Sequence, residues 1–202
     1  MALKAANDKS MSNITALPSG VSAKSLILLD TFTSDGSDDT ATFASSIDST
    51  YKEYVFKYID IHPQTKSNFQ VGFRDGSTAY DATKTTTFFT AHHAEDDSPA
   101  SLAYSAGNDL AQATGFHNIV FEANTDNDNS VSGTLHLYDP SSTTFVKHFL
   151  SVCNSASDDG GDLSVNAYTA GYCNVTAAID GVQFKFASGQ IQGGVIKMYG
   201  VV

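Results

Sequence analysis

Apolar and polar residues alternate with a period of two along most of this chain, the spacing of a strand with one buried face. The last twenty residues carry the pattern most clearly. Val182, Phe184 and Phe186 alternate with Gln183 and Lys185, and Ile196 and Met198 lie on the opposite face from Val195, Tyr199 and Val201. Between these two runs, Ser188-Gly189 has the form of a two-residue turn, because glycine reaches positive φ without steric cost. The pattern predicts a terminal hairpin of two core strands.

Upstream, Leu26 to Phe32 is a near-continuous apolar run of buried-strand length. Ala41–Ile47 alternates weakly around Phe43. In 51–61, Tyr54, Phe56 and Tyr58 share a face, and His62-Pro63 ends the run. Phe69, Val71 and Phe73 share a face in 68–74, before the turn signal Asp75-Gly76-Ser77. Further strands are predicted over 84–91, 116–123, 131–138, 143–153, 163–168 and 172–179, the last two joined by a Thr169-Ala170-Gly171 turn. Residues 92–115 fit neither period and predict a long connection holding one short strand or helical turn. Ten to twelve short strands with Gly, Asn and Asp turns indicate an all-β fold of two packed antiparallel sheets. A jelly-roll-like antiparallel β-sandwich over residues 25–202 accommodates that number in one domain. Residues 1–24 hold only scattered apolar points, with Pro18 and Gly20 against helix, and predict an extended N-terminal arm.

Composition narrows the function classes. The hydrophobic share of 41% excludes a disordered chain. The net charge of −11 argues against nucleic acid or an anionic membrane as partner, since both need clustered Lys and Arg. The acid is grouped as Asp35, Asp38 and Asp39; Glu95, Asp96 and Asp97; Asp126 and Asp128; and Asp158, Asp159 and Asp162. These groups sit among Ser, Gly and Asn, so they predict solvated loops. No run reaches the ~20 apolar residues of a membrane span, and the first twenty residues lack the apolar core of a signal peptide. Synthesis in the cytoplasm is the expectation, and Asn13-Ile14-Thr15 and Asn174-Val175-Thr176 are then chance matches to the glycosylation pattern. Cys153 and Cys173 fall on predicted strands, as buried free thiols or as a disulfide.

Candidate chemistry is sparse. His92-His93 with Glu95, Asp96 and Asp97 is the densest metal-type group, but neighbours on a strand face opposite ways and could share an ion only from a loop. Asn124 to Ser130 resembles half a calcium loop. It lacks the turn glycine, and its twelfth position from Asp126 is Leu137, so it predicts a hairpin loop. There is no Gly-x-Ser-x-Gly elbow and no phosphate-binding glycine loop. No catalytic residue, metal ligand or cofactor is assigned, and the chain is expected not to be an enzyme.

Three segments carry a family likeness: SNITALPSGVSAKSLILLDT; IDSTYKEYVFKYIDIHPQT followed by FQVGFRDGSTAY; and FKFASGQIQGGVIKMYG. Together they resemble small β-rich virion structural proteins of marine tailed phages, of the decoration or tail-fibre type. The resemblance implies assembly into a virion in the bacterial host cytoplasm, with other virion proteins (major capsid protein or tail components) as partners. The leading expectation is a capsid decoration (cement) protein, as a homotrimer, anchored by its arm through Ile14, Leu17, Pro18 and Val21. The alternative is a tail-fibre or baseplate module that binds host-surface glycans through the 92–115 connection and the acidic loops. A glycan-degrading enzyme is the third reading.

Overall fold

The computed structural model describes residues 25–98, 100–157 and 162–202. The predicted arm, with Ile14, Leu17, Pro18 and Val21, lies outside the described residues. Twelve strands are described: β1 (Leu26–Thr33), β2 (Ala41–Phe43), β3 (Glu53–Pro63), β4 (Ser67–Arg74), β5 (Lys84–Ala94), β6 (Ala100–Tyr104), β7 (His117–Ala123), β8 (Val131–Tyr138), β9 (Lys147–Ser157), β10 (Leu163–Cys173), β11 (Gly181–Phe186) and β12 (Ile191–Val201). They form an eight-stranded sheet, β1-β12-β3-β8-β9-β10-β5-β6, and a four-stranded sheet, β2-β11-β4-β7. Every named pairing is antiparallel.

Setting aside β5, β6, β9 and β10 leaves two four-stranded sheets, β1-β12-β3-β8 and β2-β11-β4-β7. Along those eight strands the chain changes sheet at every step except β4 to β7, which pair with each other. The two sheets make an antiparallel β-sandwich, and this alternation is of the kind a jelly roll has. The four extra strands widen one sheet by two β-hairpin insertions. One core fills the space between the sheets. Phe43, Phe69 and Phe184 of the smaller sheet meet Phe56 and Tyr58 of the larger, with ring centroids 5.2–5.6 Å apart.

Several strand assignments change. The terminal hairpin does not form: β11 pairs with β2 and β4, and β12 with β1 and β3. Ser188-Gly189 instead carries the chain across from one sheet to the other, with Gly189 at φ 71°. The crossing lies beside the β3–β4 crossing and is tied to it by Gln64 N–H to Gln190 O (2.9 Å) and Ala187 N–H to Asn68 O (2.9 Å). Alternation places apolar faces correctly but does not say which strand lies alongside. The same distinction converts 124–130 from a hairpin loop into a sheet crossing, since β7 and β8 belong to different sheets.

β10 runs unbroken through the predicted 169–171 turn and ends at Cys173, so no strand covers 174–179. Gly171 is an in-strand glycine: a Cβ there would meet the Phe149 ring at 2.6 Å. β9 begins four residues later than predicted and reaches Ser157. β1 is an edge strand with Leu28 53% exposed, so its apolar run does not mark a buried centre. β2 is only three residues long. The 92–115 connection is shorter than predicted because β5 continues to Ala94 and turns into β6. Residues 105–113 then follow the edge of β5, through Ser105 N–H to Phe88 O (2.9 Å) and Ala113 N–H to Lys84 O (3.0 Å).

Gly133 provides a test of packing between β8 and β9. A Cβ there would stand 2.4 Å from Val152 O and 2.7 Å from Cys153 Cα, both backbone atoms that cannot rotate away. Gly133→Ala is expected to cost about 1–3 kcal/mol by forcing these strands apart. Urea unfolding measures it, and a change within ~0.5 kcal/mol would refute the crowding.

Candidate functional site

The outward face of the eight-stranded sheet is the most distinctive surface of the molecule. Successive residues on a strand face opposite ways, so β9 sends Phe149, Ser151 and Cys153 inward and His148, Leu150 and Val152 outward. Registered neighbours then form rows across the sheet. One row is Lys197–Lys57–Thr134–Val152–Tyr168–Phe89–Tyr104. The next is Tyr199–Val55–His136–Leu150–Ala170–Thr87. Phe89 and Tyr168 stack with centroids 4.8 Å apart. Phe89, Leu102, Tyr104, Leu150 and Val152 are all among the exposed large apolar residues. In these two rows there is no carboxylate.

Two shallow grooves cross this face. One, of about 440 Å³, is lined by Tyr138, His148 and Tyr172 with Thr85, Thr87 and Leu150. The other, of about 410 Å³, lies between Leu26 and Val201 on one side and Thr134 and His136 on the other. It opens at Ser25, the first described residue. Between them, His136 Nδ1 lies 2.6 Å from Glu53 Oε1, and the His136 ring stacks on Tyr138 at 6.2 Å. Lys57 Nζ sits 5.5 Å from the Tyr199 ring centroid.

The acidic groups lie elsewhere and are gathered together. Pro63, Val131, Ser155, Leu163 and Ala94 share one end of the large sheet through successive pairings, and Ile191 joins them from β12. Asp38 bridges to Ile191. Glu95, Asp126, Asp128 and Asp162 surround a pocket of about 250 Å³ at the same end. Loops far apart in sequence thus form one acidic rim. Asp158 and Asp159 lie outside the described residues. Ser25 and Val202 meet at the other end, joined by Val202 N–H to Ser25 O (3.1 Å).

His92 and His93 are on β5 and face opposite sides, as adjacent strand residues must. His93 Nε2 pairs with Asp97 Oδ1 at 3.2 Å, whereas His92 lines an inner cleft with Thr90 and Phe121. Among the described residues no group of three or more His, Cys, Asp or Glu could hold a metal ion. The half calcium loop is satisfied internally: Asn124 Nδ2 donates to Asp126 Oδ2 (3.1 Å) and Asn129 N–H to Asp126 O (2.9 Å).

The sandwich interior holds polar groups that the period did not expose. Lys84, Cys173 and Lys147 are direct cross-strand neighbours on the inner face, and all three are fully buried. Lys84 Nζ donates to Gly115 O (2.8 Å), and Lys147 Nζ to Val175 O (2.6 Å). Burial pushes both ammonium groups down from their ordinary value. These lysines anchor the loops before β7 and after β10. Cys153 and Cys173 are both free, and burial raises each thiol to about 12, which makes them inert packing groups.

His117 is also fully buried, with Nδ1 3.1 Å from Thr86 Oγ1 and Nε2 3.4 Å from Thr169 Oγ1. Thr86 Oγ1 already accepts from Leu110 N–H at 2.8 Å. We therefore assign the Thr86 hydroxyl proton to His117 Nδ1, which leaves the neutral ring protonated on Nε2 and donating to Thr169. Burial first, and the Lys84 charge second, lower this imidazole to about 3. A lone histidine in a strand pattern gave no sign of this role, because His117 reads equally well as an exposed residue. The chain matches no known family model, and no curated protein matches it in sequence.

Proposed function

We propose that this protein is a non-enzymatic structural component of a tailed-phage virion, most simply a decoration (cement) protein on the outside of the head. The separation of carboxylates from these outward rows carries the reading. A chain of net charge −11 keeps carboxylates out of two adjoining rows on one broad sheet face and brings several acidic loops together in a rim at one end. A face of that kind suits a protein partner better than water. It would lie against the shell, and the acidic rim would remain in solvent. Residues 1–24 enter the described structure at Ser25, beside a groove on the same face, so an anchoring segment would start next to the docked surface. The likeness of the three sequence segments supplies the phage context.

Deletion of residues 1–22 is expected to leave the sandwich folded and to abolish incorporation into particles. Circular dichroism on the truncated protein and immunoblots of purified particles provide the two readouts. Normal incorporation of the truncated protein would sink the anchoring role.

A second reading is a tail-fibre or baseplate module that binds host-surface glycans. The groove favours it, since Tyr138 and Tyr172 offer ring faces and Thr85 and Thr87 offer hydroxyls to a sugar. On that reading the binding surface would lie on β5, β8, β9 and β10 rather than on 92–115. Copy number per particle separates the readings: hundreds of copies fit a head protein, and a handful or tens fit the tail. Adsorption of the purified protein to host cells, competed by surface polysaccharide, would favour the second.

A further inference from the structure

We infer that strand β6 is a self-association edge, at which two copies of this chain join their eight-stranded sheets. The inference stands whether or not the protein belongs to a virion. It begins from the four sheet edges. β1 carries Asp30 and a register shift between Leu28 and Asp30. β2 is three residues long. β7 has two register shifts against β4, and Glu122 within it has φ 48°. Bulges, charges and shortness each prevent another strand from adding to an edge. β6 has none of the first two: Ala100-Ser-Leu-Ala-Tyr104 is uncharged, exposed at every residue, and in unbroken register with β5.

Among the described residues, the hydrogen-bond phase leaves this edge open. Ser105 N–H donates to Phe88 O, so in an antiparallel ladder the amides of Ser101 and Ala103 also turn toward β5. The N–H and C=O of Ala100, Leu102 and Tyr104 then point away from the sheet. Their side chains lie on the outward face, in line with His93, Ala91 and Phe89. Leu102 is 72% exposed and Tyr104 56% exposed.

The occupant that fits is β6 of a second copy. Antiparallel pairing about Leu102 sets Leu102 against its own counterpart, Ser101 against Ala103, and Ala100 against Tyr104. The large ring thus meets the smallest side chain, and no like charges are placed opposite each other. The twofold axis runs perpendicular to the sheet, so both copies present their apolar outward faces on the same side. Such an interface is isologous and closes at two copies. It therefore predicts a dimer in place of the trimer expected from sequence. The acidic 95–98 turn of one copy approaches the Asp109 end of its partner, so salt should strengthen the pairing.

Sedimentation velocity of the full chain across a concentration series, together with cysteine crosslinking, tests the inference. Wild type should form a dimer that tightens with added salt. Leu102→Lys puts two ammonium groups opposite each other on the axis and should weaken association by roughly tenfold or more. Its circular dichroism should not change. Leu102→Cys should give a disulfide-linked dimer on mild oxidation, because Cys153 and Cys173 are buried and do not compete. Phe145→Cys, equally exposed on a loop, should not. If Leu102→Lys fails to fold, the crosslinking pair decides. A wild-type monomer at all concentrations, a trimer, a dimer that persists in Leu102→Lys, or equal crosslinking at Phe145→Cys would overturn the inference.

Discussion

Phe184→Ala is expected to lose about 3–5 kcal/mol of folding stability, the cost of emptying a large aromatic site in a packed core. Phe184 is fully buried in the smaller sheet. Its ring meets Tyr58 at 5.2 Å, Phe56 at 5.5 Å, Phe69 at 5.9 Å and Phe43 at 6.2 Å. Two of these partners come from the opposite sheet, so the side chain joins the two layers and its removal leaves a hole that neither layer can fill alone. Domains of this size have about 5–15 kcal/mol in total, so the variant should be close to unfolded at physiological temperature. Phe184→Leu retains most of the volume and should lose less than half as much. Urea unfolding of the three proteins gives the comparison. A loss below ~1.5 kcal/mol for Phe184→Ala would show that the site collapses and that the ring does not bridge the sheets.

The second large effect is a loss of stability in mild acid centred on His117. Its folded imidazole titrates at about 3, whereas the unfolded group has its ordinary value of 6.5. Folding therefore favours the neutral ring. The contribution is fully present above pH 6.5 and is lost as the pH falls from there toward 3. Each pH unit inside that window removes about 1.4 kcal/mol, so about 2.7 kcal/mol should be gone at pH 4.5. The desolvated site explains the direction. No carboxylate hydrogen-bonds the ring, both of its partners are threonine hydroxyls, and the Lys84 charge nearby opposes a second cation. Asp35 and Asp48, whose carboxyls lie below their usual range through hydrogen bonds to Ser37 and Thr50, add a loss in the same direction only at lower pH. His117→Gln retains a donor and an acceptor for the two threonines but cannot titrate. It should be less stable than wild type at pH 7 and nearly flat from pH 7 to 4.5. Equal slopes for the two proteins would remove His117 as the cause.

These two sites differ in how visible they are in sequence. Phe184 stands in a clean alternation with Val182 and Phe186, and all three are buried as the period predicts. His117 begins a strand that alternation also found, but the period only divides residues between two faces. It cannot tell that Thr86 and Thr169 from other strands converge on this ring. The same limit hid the Lys84–Cys173–Lys147 row, which exists only because β9, β10 and β5 lie side by side.

The division has a physical basis. Local sequence determined that the chain is all-β, which faces of β3, β4, β8 and β11 turn inward, and that the acid belongs to loops. These properties depend on backbone sterics and on the transfer of apolar side chains from water, both of which act within a few residues. Tertiary structure alone decided which strands pair, that β11 and β12 part to opposite sheets, and that separated acidic loops form one rim. It also decided that the outward rows of six strands merge into an apolar face ending at the open β6 edge. Those outcomes depend on contacts between residues distant along the chain, where many registers satisfy the same alternation and packing selects one of them.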